Sequence, residues 1–257
     1  MDESTTAKPV VGVVDDDRAS TYAATLERAG ATAIVDDATA LADTDVDAVV
    51  APTEAATYEC VRKRITAPVL AVDGTPALRG VPRQRADDAL HALATDDYTT
   101  TTRRTLAVDT ESVPRVRALA DVMLVTSEPA RISEYGLHTP EGTVSTFRAD
   151  GVVVATPVGS QSYARAAGSH VLAPNTQVLS AVPIAPFATS ADDWVLPDDD
   201  ITLTVERDEG DVSLRIDDQH VTELPHGDSV HVTPDDPFVV AVTPQSPGPW
   251  SRALEKH

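Results

Sequence analysis

The sequence has a single cysteine, Cys60, in 257 residues. An internal disulfide and a cysteine-based zinc site are therefore both excluded. Lysine is nearly absent: Lys8, Lys63 and Lys256 stand against 17 Arg, 29 Asp and 12 Glu, and the formal net charge is −21. Such a surface repels phosphate backbones, which argues against a nucleic-acid partner. Aromatic residues make up only 4% of the chain. No apolar run approaches the ~20 residues of a membrane helix, so no membrane association is expected. The start, Met1-Asp2-Glu3-Ser4, is acidic and polar, unlike a secretory signal, and a soluble cytoplasmic protein is the expectation. The seven histidines show neither HExxH nor paired metal spacing, so no dedicated metal site is expected. Gly159-Ser160-Gln161-Ser162 lacks the second glycine of a hydrolase elbow.

What is present is a globular composition, 42% hydrophobic, long enough for one large or two smaller domains. The acids fall in short clusters along the whole chain, such as Asp15-Asp16-Asp17 and Asp198-Asp199-Asp200. Solvated surface is the simplest reading of these clusters, and their density resembles that of a halophile's protein.

The first third alternates short apolar runs with helical stretches. Val10–Val14, Ala31–Val35, Asp47–Val50 and Pro68–Val72 read as strands, and Ser20–Ala29, Ala55–Arg64 and Pro82–Ala94 as helices. Continuous apolar strands alternating with helices predict a parallel sheet covered on both faces. After Tyr98 comes the polar run Thr99–Thr102, and then segments that alternate like antiparallel strands: Thr143–Phe147, Ile201–Glu206, Asp211–Ile216 and Ser229–Val232. The expected fold class is an α/β domain plus a β-rich domain. Residues 1–98 form the first, with 242–257 packing back on it and a short helix at Trp250–Lys256. Residues 99–241 form the second.

One stretch carries most of the chemical information: Asp150-Gly151-Val152-Val153-Val154-Ala155-Thr156-Pro157-Val158-Gly159-Ser160-Gln161-Ser162-Tyr163. It reads as a strand, a tight turn and a helix capped by Ser160 or Ser162. Exposed N–H groups at such a turn and the positive end of the helix suit an anionic oxygen. The hydroxyls of Thr156, Ser160 and Ser162 add donors, and Tyr163 adds a flat face with a polar tip.

This stretch resembles the NAD kinase signature, an Asp-Gly strand followed by Thr-Pro-Thr-Gly-Ser-Thr-Ala-Tyr. Further segments resemble that family in the same order. Val182-Pro183-Ile184-Ala185-Pro186 and Trp194-Val195-Leu196-Pro197 match Pro-Ile-Cys-Pro…Leu-Val-Leu-Pro. Ile216-Asp217-Asp218-Gln219 matches Val-Asp-Gly-Gln, and Gly227-Asp228-Ser229-Val230 follows. An ordered set of motifs is more specific than one glycine loop. The resemblance implies a Rossmann-like amino-terminal domain, a β-rich carboxy-terminal domain, NAD or NADP as ligand, and a homodimer or homotetramer. It implies ATP and Mg only where the chain is active.

The family's Gly-Gly-Asp-Gly-Thr, which carries the catalytic Asp, is replaced here by Ala51-Pro52-Thr53-Glu54-Ala55. Pro52 removes an amide donor, Thr53 cannot act as a base, and Glu54 places negative charge where triphosphate would sit. Asp73-Gly74-Thr75 spells the end of the missing motif, but loop follows it. Glu54 and Asp73 are therefore only weak candidates for a catalytic base. The family's ribose-holding Asn-Glu pair becomes Ala120-Asp121, and Phe187 stands where the family has His. The expected dinucleotide site is Asp121, Asp150, Thr156, Gly159, Ser160, Gln161, Ser162 and Tyr163. The expected function is NAD(H)/NADP(H) binding with weak or absent ATP-dependent 2′-phosphorylation. The alternatives are an active kinase with a reorganised base, and a structural or regulatory homologue that binds no dinucleotide.

Overall fold

A computed structural model describes residues 8–127, 132–188, 192–207 and 210–251. The chain divides into two compact units, Met1–Thr102 with Val239–His257, and Arg103–Phe238.

The first unit contains β1 (Val10–Val14), α1 (Ala19–Arg28), β2 (Thr32–Asp36), α2 (Ala38–Ala42), β3 (Ala48–Ala51), α3 (Glu54–Arg62), β4 (Val69–Ala71) and α4 (Ala86–Ala94). Its strands pair in parallel in the order β2-β1-β3-β4. Val11, Val13, Val50 and Leu70 on the sheet pack against Tyr22, Leu26, Leu90 and Leu93 on the helices. Helix cover removes β1, β3 and β4 from water, which is why these three read as unbroken apolar runs, whereas the edge strand β2 is exposed or half-buried along its length. Helix α2 was not expected. Asp37 caps it by accepting the N–H groups of Thr39 (2.7 Å) and Ala40 (2.9 Å).

The second unit is almost wholly β. The chain enters it along β5 (Thr99–Asp109) and continues through β6 (Val116–Ala118), β7 (Asp121–Thr126), β8 (Ser133–Thr139), β9 (Gly142–Ala149) and β10 (Gly151–Ala155). After the short helix α5 (Tyr163–Ala166) come β11 (Val178–Ile184), β12 (Trp194–Pro197), β13 (Ile201–Arg207), β14 (Val212–Ile216), β15 (Gln219–Leu224) and β16 (Ser229–Val242). One sheet has six antiparallel strands in the order β12-β11-β10-β7-β14-β15. Alternate residues on one of its faces (Val122, Leu124, Val152, Val154, Leu214) share a core with Tyr135, Leu137, Leu203 and Val205 of β8 and β13. The other face places Met123, Val153, Ala155 and Val182 against Ala164 of α5. Period-2 alternation thus gives this sheet an inner and an outer apolar face.

Two expectations need correction or restriction. The polar run Thr99–Thr102, not expected as a strand, is the first part of the 11-residue strand β5. Threonine is polar in composition, yet its β-branch favours extended backbone. The helix expected at Trp250–Lys256 falls largely on residues 252–256, outside the described residues; Trp250 lies in a turn.

Candidate functional site

The signature stretch folds as strand, turn and helix, but the helix is short. Strand β10 ends at Ala155, a single 3₁₀ turn covers Gly159–Gln161, and α5 has four residues. No side chain caps α5, so the expected cap by Ser160 or Ser162 is not formed.

The turn is held from within. Thr156 donates its hydroxyl to the Leu119 carbonyl (2.7 Å) and accepts the N–H groups of Val158 (3.1 Å) and Gly159 (3.4 Å). Ser160 donates to the Pro157 carbonyl (2.8 Å) and accepts from the Leu172 N–H (2.9 Å). Backbone bonds take up the N–H groups of Ser160, Gln161 and Ser162. The expectation that these hydroxyls and amides stand open to an anion is therefore overturned. The first four turn residues and Ser160 are buried, and burial favours pairing polar groups inside the chain. Gln161 and Ser162 are half-buried, and Tyr163 is 46% exposed.

The turn rests on the segment that links β6 to β7. Ala120 accepts the Thr156 N–H (2.9 Å), and Gly159 packs directly on the Ala120 carbonyl. A Cβ on Gly159 would lie 2.1 Å from that oxygen, so no larger residue fits. Asp121 begins β7 and pairs with Ala155. Alternation puts its side chain on the same face as Met123 and Val125, the face that carries α5. It is 4% exposed. The register therefore joins Asp121 to the turn at 156–163.

A residue absent from the expected site completes this arrangement. Asp217, 2% exposed, accepts the N–H groups of Leu119 (2.9 Å), Ala120 (2.7 Å) and Asp121 (3.3 Å) on its carboxylate. It also donates its own N–H to the Asp121 carbonyl (3.0 Å). Asp217 and Asp218 form the two-residue loop between β14 and β15, with φ of 47° and 66°. A loop with two positive φ values matches the twist of the strands and favours Asp, Asn and Gly. The Asp-Asp pair in Ile216–Gln219 carries this turn signal in the sequence.

Asp150 does not join the cluster. It precedes β10, whose five residues at about 3.3 Å each set it roughly 17 Å from the turn. Its neighbours lie at the other end of the sheet. There the Phe187 N–H donates to the Arg148 carbonyl (2.9 Å), and the Arg148 guanidinium lies 5.6 Å from the Phe187 ring centre.

In the first unit, β3 runs into α3 as the motif comparison requires. Thr53 caps α3, accepting the Ala56 N–H (3.1 Å), and Glu54 accepts a hydrogen bond from the Tyr58 hydroxyl (3.1 Å). Asp73 adopts φ 56° in a loop and binds Arg83 twice, through the backbone N–H (2.9 Å) and the guanidinium (2.6 Å). Among the described residues, no three His, Cys, Asp or Glu side chains converge as a metal cluster.

Comparison with known proteins bears on this geometry. The model of the ATP-NAD kinase C-terminal domain matches residues 119–237, which include the Asp217 loop, Asp121 and the signature turn. NAD kinases from Methanosarcina mazei and Thermococcus sibiricus are 36% and 31% identical to this chain over 103 and 147 residues. Those alignments cover 40% and 56% of this chain. They span only 36% and 52% of the two relatives.

Over residues 119–237 the chain resembles the NAD kinase family.

Its fold agrees with that placement. The crystal structure of an NAD kinase from Archaeoglobus fulgidus in complex with ATP superposes with a TM-score of 0.73 at 20% identity, covering 90% of this chain and 92% of that one. Yeast NADH kinase complexed with NADH gives 0.77 at 16% identity, covering 98% and 91%. At these identities the likeness is one of fold. Among the described residues, no helix is long and apolar enough to cross a membrane.

Proposed function

We propose that this chain is an NAD kinase family protein that binds NAD(H) or NADP(H) along Gln161–Tyr163 and Asp121, and that it phosphorylates NAD weakly or not at all. Binding is supported by the interlocked turn, in which Thr156, Gly159 and Asp217 fix the backbone around Asp121. The observation that carries the loss of catalysis is the start of α3. Phosphoryl transfer needs positioned donors around the phosphates and a placed base. Here Pro52 offers no N–H, Thr53 spends its hydroxyl as a helix cap, and Glu54 adds an anion that Tyr58 holds in place. Loss of a single positioned donor of this kind typically costs about 10²–10³ in rate.

The second reading, an active kinase with a new base, rests on Glu54. Asp73 is the weaker choice, because its carboxylate is already paired with Arg83. ATP and Mg enter only under this second reading. The deciding assay is NADP formation from NAD and ATP-Mg in molar KCl, run beside calorimetric titration with NAD, NADH, NADP and NADPH. Dinucleotide binding with turnover at least ~100-fold below an ordinary family member supports the proposal. Ordinary turnover that collapses in Glu54→Gln establishes the second reading instead. No binding at millimolar ligand leaves a structural or regulatory homologue.

A further inference from the structure

We infer that Asp217 is the positioning residue of the dinucleotide site, acting through the backbone of residues 119–121 on Asp121; the inference rests on the binding reading above. Three observations carry it. First, one carboxylate with 2% exposure accepts three consecutive backbone N–H groups, those of Leu119, Ala120 and Asp121. Hydrogen bonds to a charged acceptor are stronger than neutral ones, and here the carboxylate has little water to fall back on. Second, the carbonyls of the same segment are also committed: Leu119 accepts the Thr156 hydroxyl (2.7 Å), and Ala120 accepts the Thr156 N–H (2.9 Å). Third, Gly159 closes on the Ala120 carbonyl so tightly that the segment cannot move toward β10.

The segment is thus held from the β14–β15 loop on one side and from the signature turn on the other. Asp217 and Asp218 both take positive φ, the tight two-residue loop from which the Asp217 carboxylate reaches the segment. The clamp acts on the backbone N–H and carbonyl of Ala120 and uses no side-chain atom of that residue. It therefore stands with Ala120, where the family pattern has Asn. Asp121, at 4% exposure, offers a ligand only a narrow approach, so a small displacement of its backbone changes what it can reach.

The test combines affinity with local amide protection in the full chain in molar KCl. NADP affinity is measured by calorimetry for the parent, Asp217→Asn, Asp121→Asn and the double variant. Hydrogen exchange of backbone amides is followed by NMR in the ligand-free parent and in Asp217→Asn. The expected result is an affinity loss of at least tenfold in Asp217→Asn. Amides 119–121 lose protection, while those of Val122–Val125 and Val152–Val154 keep theirs. The double variant binds within about twofold of the weaker single variant, because both changes remove the same contribution. Unchanged affinity in Asp217→Asn, multiplying losses in the double variant, or a uniform loss of protection across the sheet overturns the inference. Should Asp217→Asn not fold, the parent decides: slow exchange at 119–121 supports the clamp, and fast exchange there overturns it. A parent that binds no dinucleotide overturns the binding reading, and the exchange data then judge the clamp separately.

Discussion

Gly159→Ala probes the contact on which the site is built. The added Cβ would stand 2.1 Å from the Ala120 oxygen and 2.6 Å from its carbon, whereas ordinary contact begins at 3.4 Å. The shortfall is 3.4 − 2.1 = 1.3 Å, and the obstacle is backbone that Thr156 and Asp217 already hold. Gly159 has no positive φ, so the cost is steric rather than conformational. Overpacking of this kind costs about 1–3 kcal/mol. Weakening the Thr156 N–H bond to Ala120 adds about 1 kcal/mol. The reduced freedom of the unfolded chain returns about 0.4–1 kcal/mol. The net destabilisation is about 2 kcal/mol, or a melting temperature roughly 4–8 °C lower for a chain of this size. NADP affinity falls at least tenfold, since the segment that carries Asp121 must shift. Gly248→Ala is the control: nothing lies within 4 Å of its Cβ and its φ is ordinary, so the variant should melt with the parent or slightly above it. Circular dichroism melts and calorimetry in molar KCl read both effects. A Gly159→Ala variant that melts within 1–2 °C of the parent and binds NADP equally would falsify the close packing of the turn on Ala120.

Four other outcomes are expected. Tyr163→Ala weakens dinucleotide binding several-fold. Asp150→Ala, roughly 17 Å away along β10, leaves it within about twofold unless the ligand spans the strand; an equal loss in both variants shows that it does. The melting temperature rises steeply from low salt to molar KCl, because a net charge of −21 repels itself until screened; a salt-independent melt removes the halophilic reading. The buried Cys60 thiol, pushed up to about 12 by desolvation and then by Glu59, resists thiol reagents at pH 8 until the chain unfolds; prompt labelling of the native protein contradicts this. Converting Ala51–Ala55 to Gly-Gly-Asp-Gly-Thr raises NAD kinase turnover measurably over the parent; no gain places the missing contribution elsewhere in the site.

The parallel unit was legible because its strands are short apolar runs that period and length separate from helices. Helix α2 was not, because five residues of mixed composition carry no period; its only signal was Asp37, placed to cap Thr39 and Ala40. Strand β5 was obscured because Thr99–Thr102 is polar by composition but extended by stereochemistry. In the site, the motif match located the turn correctly and misjudged its chemistry. By type its hydroxyl and amide groups are donors for a ligand, yet burial turns Thr156 and Ser160 inward, since a buried polar group left unpaired costs more than a bond to a ligand returns. Asp217 was missed for the complementary reason. Its partners lie 96 to 98 residues earlier in the chain, and only the antiparallel pairing of β7 with β14 brings them together. Local sequence thus announced the Asp-Asp loop, while the sheet register determined what that loop holds.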